Sequence, residues 1–372
     1  MPVPLRYPVL EPDLGPLEER YVTEAIRSGW VSSIGPFVER FEAQFAERCG
    51  VAHCIGVANG TVALHLALVA RGIGPGDEVI VPDLTVAATA AAVVHAGATP
   101  VLVDAARDEW NLDVDLLERA RSPRTKAIIP VHLYGCPVDV LRVREILGPD
   151  VFVLEDAAEA HGARVRGTTV GGIGDAACFS FYGNKLVTMG EGGCITTNDT
   201  AFAQRARFLK DHAMSPVRRY FHTDAGFNYR LTNLQAALGC AQLERLEETL
   251  ERRATLLGWY REELSDTSIT LNPSPPDTDP VCWVVAALLP PGTDGDERDR
   301  VASALRARGI DSRPFFVPMH ALPPYAGCRL VTRDSGMSVA EELGGRGLGL
   351  PTSARLSRSD VAEICAALRA VV

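Results

Sequence analysis

The feature that most constrains this 372-residue sequence is a set of short apolar runs with no polar alternation, plainest in Ile128-Ile129 and Val151-Phe152-Val153-Leu154. A strand with one wet face alternates apolar and polar residues. A strand that does not alternate is covered on both faces, as in a parallel sheet with helices above and below. Such runs, at 54–58, 78–82, 100–104, 126–131, 151–154, 176–181 and 193–197, are interleaved with helical patterns at 62–71, 87–95 and 138–146. This succession predicts an α/β fold with a mainly parallel mixed sheet.

Two amphipathic helices, 17–28 and 37–49, precede the sheet and flank the loop Gly29-Trp30-Val31-Ser32-Ser33-Ile34-Gly35-Pro36. A helical stretch from 233 to about 263 leads into Leu271-Asn272-Pro273-Ser274-Pro275-Pro276. The chain is too long for one ordinary core. The reading is a large domain over 1–250 and a smaller α+β C-terminal domain over 251–372. The latter holds a strand at 281–289, helices at 299–308 and 358–371, and a loop at 314–324.

Three segments carry chemistry. Asp175-Ala176-Ala177-Cys178-Phe179-Ser180-Phe181-Tyr182-Gly183-Asn184-Lys185 runs from a strand into a glycine loop and presents a lysine. A lysine held behind a buried strand is partly desolvated, which favours the neutral amine that attacks an aldehyde. On this segment alone an ordinary surface lysine is the stronger reading. Upstream, Val153-Leu154-Glu155-Asp156 places an acidic pair where a parallel strand ends, and Asp156 fits a carboxylate that keeps a pyridine nitrogen protonated. Acidic residues at strand ends are also common helix caps. In Ala58-Asn59-Gly60-Thr61 a glycine and a threonine lie between strand and helix, where free amides and a hydroxyl make an anion site or a plain N-cap. An imine-forming lysine, a ring-nitrogen carboxylate and a phosphate cradle are together what pyridoxal 5′-phosphate (PLP) requires.

In this order, and with Gly29-Trp30-Val31-Ser32-Ser33, Gly74-Pro75-Gly76-Asp77-Glu78-Val79-Ile80-Val81-Pro82, Val131-His132-Leu133-Tyr134-Gly135 and Leu348-Gly349-Leu350-Pro351, the sequence resembles fold-type I PLP-dependent transferases of the DegT/DnrJ/StrS sugar aminotransferase family. The resemblance spans nearly the whole chain. Within the family, Phe181-Tyr182-Gly183-Asn184-Lys185, Asp156-Ala157-Ala158-Glu159-Ala160 and Tyr229-Arg230-Leu231-Thr232-Asn233 look nearest to a perosamine-synthase-like branch.

The resemblance implies that Lys185 carries PLP as a Schiff base and that Asp156 meets the pyridine nitrogen. Gly60, Thr61 and Ser180 would meet the phosphate. Relatives with histidine at the lysine position are sugar dehydratases, so the lysine favours transamination. Ala225-Gly226-Phe227-Asn228-Tyr229-Arg230 resembles a segment that enters the neighbouring subunit's site, which implies a homodimer with shared active sites. Asn228 would then reach a phosphate, and Arg230 would hold a substrate anion or form an interface ion pair. Trp30, Ser32 and His320 fall in segments near the sugar pocket of relatives; a lone histidine is more often structural. Two positions depart from the pattern. Val86 stands where relatives stack an aromatic ring on the cofactor, and Glu159 stands where many have glutamine beside the cofactor's phenolic oxygen. Two anions in contact repel unless a proton is shared, so Glu159 is expected to have a raised pKa.

The implied substrates are an amino donor, L-glutamate, and a nucleotide-linked 4-keto-6-deoxy sugar. The rivals are a PLP-dependent sugar dehydratase and a non-catalytic PLP or sugar-nucleotide binding protein. A formal charge of −10, with no visible basic face, weighs against nucleic acid. The nine cysteines contain no C-x-x-C pair and read as reduced thiols, and neither they nor the histidines form a metal-ligand grouping. The first residues lack the apolar core of a signal peptide and no run would span a bilayer, so the expected compartment is the cytoplasm.

Overall fold

The computed structural model describes residues 5–333 and 336–372. Its main sheet has eight strands in the order His53–Val57, Gly193–Thr197, Ala176–Ser180, Phe152–Asp156, Thr125–Ile128, Glu78–Pro82, Thr99–Val103 and Arg329–Val331. Only Gly193–Thr197 runs against the others. The missing alternation has the expected cause, because successive residues of one strand enter different cores. Val79 and Val81 join a cluster with Ala63, Leu66 and Val93, from the helices Gly60–Ala70 and Ala87–His95. Ile80, between them, packs on the opposite side with Val143 and Leu147 of the helix Val140–Leu147. Farther along that side, Ala177 and Phe179 meet Phe41, Phe45 and Ala237, from the helices Pro36–Cys49 and Asn233–Glu244.

A second, antiparallel sheet orders Thr270–Leu271, Val285–Leu288, Gly347–Leu350 and Arg313–Pro314. It shares a core with Leu256 and Tyr260 of the helix Leu246–Glu263 and with Leu305 and Ile364 of two later helices. The stretch read as one helix from 233 to 263 is two, parted at Arg245, whose φ of −103° and ψ of 3° leave helical geometry. Its guanidinium is held by Asp13 at 2.8 Å and Glu18 at 3.1 Å. Residue 250 lies inside the second helix. Two segments cross that point: Tyr7 packs in the C-terminal core, and Arg329–Val331 pairs in parallel with Thr99–Val103 at the edge of the main sheet.

All nine cysteines are unpaired. Among the described residues, no helix is long and apolar enough to cross a membrane and no group of His, Cys, Asp or Glu could hold a metal ion.

Candidate active site

Parallel strands bring their carboxyl ends to one side of the sheet, where helix N-termini and loops leave a crevice. Asp156 and Ser180 end two of these strands, and Gly60 and Val86 follow two others. There a cavity of about 610 Å³ opens, lined by Gly60, Thr61, Val86, Asp156, Glu159, Ser180 and Lys185. Seven residues chosen from sequence thus meet in one place. Residues in or beside the second sheet, Arg313, Trp283 and Phe315 among them, line the far wall.

Lys185 is almost buried. Its Nζ lies 3.5 Å from Glu159 Oε1 and 3.9 Å from the centre of the Trp283 ring. Glu159 is itself buried and accepts a hydrogen bond from the Tyr134 amide at 2.7 Å. Burial raises its pKa, against the opposing pull of Lys185 and that amide. The direction is the one expected from sequence, but its first cause is desolvation, whereas the expectation rested on a neighbouring phenolic oxygen.

The acidic pair splits because consecutive strand residues face opposite ways. Asp156 turns into the cavity, where Thr89 Oγ1 donates to it at 2.8 Å and the Ala158 amide at 3.2 Å, while burial raises its pKa. Glu155 turns away and accepts from the amides of Ile173 and Gly174 at 3.0 and 2.8 Å, with His132 Nε2 at 3.2 Å. His161 is wrapped by Phe45, Phe179 and Phe181, and burial lowers its pKa to about 3, so it stays neutral.

Asn59 caps the helix Gly60–Ala70 by accepting from the Val62 amide at 3.0 Å. The amides of Gly60 and Thr61, in the first turn, have no intrahelical acceptor. A Cβ on Gly60 would come within 2.8 Å of Ser180 Cβ, and one on Gly193 within 2.5 Å of the Asn59 carbonyl. Two glycines therefore let three backbone segments close on one spot, and the amides and the Ser180 hydroxyl there suit a phosphate. With Asp156 and Lys185 on the same cavity, the residues fit PLP.

The remaining candidates lie outside this cavity's lining in the protomer. Arg230 pairs with Asp211 at 2.9 Å, and its Nε donates to Asn228 Oδ1 at 3.0 Å. Trp30 is half exposed, and the carbonyls of Trp30 and Ser32 accept from the side chain and amide of Asn233 at 2.7 and 2.5 Å. His320 Nδ1 lies 2.7 Å from Asp83 and Nε2 3.5 Å from Glu341, an ion-paired arrangement that joins a loop of the C-terminal part to the end of a main-sheet strand. Sequence reading missed Thr89, Tyr134, Trp283, Phe315 and Phe316. Thr89 stands one turn beyond Val86 on a helix already placed at that strand end, a signal that could have found it. Tyr134 stood in a motif already quoted and Phe315 and Phe316 in the segment that leads to His320, whereas Trp283 had no signal, since in a single sequence it reads as core.

A strand-end carboxylate, a lysine and a helix-borne anion cradle on a two-part α/β fold define a PLP-dependent aminotransferase. The chain belongs to the DegT/DnrJ/EryC1/StrS aminotransferase family, whose model matches residues 12–369. The GDP-perosamine synthase of Caulobacter vibrioides is 48% identical over 370 residues, covering 99% of this chain and 98% of that protein. The solved structure of S. venezuelae DesV in complex with a ketimine intermediate aligns with a TM-score of 0.86 and 39% identity, over 95% of this chain and 93% of that one. The PMP form of Spr1654 from Streptococcus pneumoniae aligns with a TM-score of 0.90 and 26% identity, over 100% and 98% of the two chains.

Proposed function

We propose that this enzyme moves the amino group of L-glutamate to a nucleotide-linked 4-keto-6-deoxyhexose. The observation that carries the proposal is the convergence of Lys185, Asp156 and the Gly60–Thr61 cradle on one cavity. Similarity to a GDP-perosamine synthase over nearly the full length supports a sugar-nucleotide substrate.

In this reading Gly60, Thr61 and Ser180 would hold the cofactor's phosphate, Asp156 would keep its ring nitrogen protonated, and Val86 would offer only apolar contact. Bound PLP supplies an electron sink for the carbon that loses a proton. Lys185, as a neutral amine, would act as the general base that takes the proton from the donor Cα. Tyr134, Trp283 and Phe315 give the wall opposite the strand ends an apolar surface.

Asn228, Arg230, Trp30 and Ser32 are assigned to the site of a partner subunit in a homodimer. Their position outside the cavity of their own protomer supports this, as does the exposure of Ile26, Trp30, Val31 and Ile34, apolar side chains that a partner would cover. His320 keeps the structural role that its two carboxylate partners support. Nine free thiols, eight of them buried, support a reducing compartment, the cytoplasm.

The test is incubation of the PLP-loaded enzyme with glutamate and a panel of GDP-, dTDP- and UDP-linked keto sugars, with the product identified by mass and NMR. The expected outcome is glutamate-dependent amination of a 4-keto-6-deoxy sugar. A product that loses water without gaining nitrogen would replace the proposal with a dehydratase.

A further inference from the structure

Among the described residues, the Lys185 head group makes one close ion pair, with Glu159, and one close ring contact. The ring is that of Trp283, whose centre lies 3.9 Å from Nζ. The same indole donates its Nε1–H to the Asn184 carbonyl at 2.8 Å, the peptide unit immediately before the lysine. Trp283 is thus fixed at both ends of one residue, by a hydrogen bond at the backbone and a ring face at the ammonium. It is buried and stacked on Tyr134, with centroids 6.3 Å apart and planes 10° from parallel, so the ring has little freedom to swing away. It precedes Val285–Leu288, a strand of the second sheet, whereas Lys185 belongs to the main-sheet half.

We propose that Trp283 is a positioning residue for Lys185: its ring holds the lysine head group whenever the lysine is not joined to the cofactor, and its N–H fixes the loop that carries it. A face-on aromatic ring attracts an ammonium without binding it in one direction. It keeps Nζ near the reacting carbons while leaving it free to rotate between them. Glu159 alone, at 3.5 Å, would hold the same group by a directional ion pair. The second sheet thereby sets where the lysine of the first can go. This inference rests on the role given to Lys185.

The test uses Trp283→Leu, which removes both contacts, and Trp283→Phe, which keeps a ring face but loses the N–H. In the cofactor-free protein, Lys185 is labelled with acetic anhydride and quantified by peptide mass mapping; in the loaded enzyme, kcat and KM are measured separately. Trp283→Leu is expected to raise the labelling rate several-fold and to lower kcat about tenfold with little change in KM. Trp283→Phe, which keeps the ring face but releases the loop, is expected to fall between Trp283→Leu and the parent in both, at unchanged thermal stability. The inference is overturned if Trp283→Leu labels and turns over within twofold of the parent. It is equally overturned if both variants lose activity in step with their melting temperatures, which is what a purely structural tryptophan would give. Neither result touches the Lys185 assignment, which fails separately if Lys185→Ala turns over normally.

Discussion

The two groups of candidate residues differ in how complete their surroundings are. Around Lys185 and Asp156 the protomer is finished, with carboxylates, amides and rings in contact and little side-chain surface exposed. The segment from Asp211 to Arg230 and the loop from Gly29 to Pro36 are unfinished: Tyr220 is 75% exposed, Val217 94% and Ile34 67%. The contrast teaches that the part of the site requiring fixed geometry comes from sheet ends within one chain. In the proposed reading, the part that meets substrate lies on segments that a neighbour would complete.

The comparison breaks most severely if the finished half proves dispensable. Lys185→Ala should lower turnover on the order of 10³-fold or more while the protein still binds PLP, measured by steady-state assay and by cofactor absorbance after gel filtration. Asp156→Asn keeps the shape of the site but removes the charge, and kcat should fall roughly 10²-fold. A loss under threefold would mean that the carboxylate does not face the ring nitrogen. Gly60→Ala drives a Cβ against Ser180 and should weaken PLP binding by about tenfold, read by fluorescence titration.

The unfinished half is probed by mixing. Lys185→Ala and Arg230→Ala subunits, each inactive alone, should regain about a quarter of parental activity when unfolded and refolded together, since half the dimers are mixed and one of their two sites is intact. No recovery would confine Arg230 to its own protomer. The smallest effect concerns His320. Burial pulls its pKa down, but Asp83 and Glu341 outweigh that and raise it. A raised imidazole stabilises the fold fully below its unfolded value, and that contribution is lost as pH rises through the folded value. His320→Gln should therefore lower the melting temperature in mild acid, by an amount equivalent to about 1 kcal/mol or less, and leave it unchanged in mild alkali.

The strands of the main sheet were legible because burial on both faces leaves a composition that little else produces. The reading placed 176–181 and 193–197 as strands, and the structure has Ala176–Ser180 and Gly193–Thr197. Lys185, Asp156 and Gly60 each follow or end a buried strand, but position alone left each with an ordinary reading, and it was their joint resemblance to a known family that marked them as a site. Arg329–Val331 was not legible: three residues far along the chain carry no local sign that they will pair with Thr99–Val103. Trp283 was hidden by its setting, Cys282-Trp283-Val284-Val285, which reads as core and is core on every side but the one that faces Lys185. The break at Arg245 escaped because its cause is tertiary, two carboxylates supplied by residues 13 and 18.

The return of Arg329–Val331 to the main sheet has a consequence for synthesis. Until the ribosome has made that segment, Thr99–Val103 is an open edge with unpaired amides and carbonyls, and apolar Val101, Leu102 and Val103 lie along it. The nascent chain must carry this adhesive margin through more than half of its translation. A fragment ended before residue 329 never covers it, so such fragments are expected to aggregate, and the last step in folding the main sheet is made by residues translated long after its other strands.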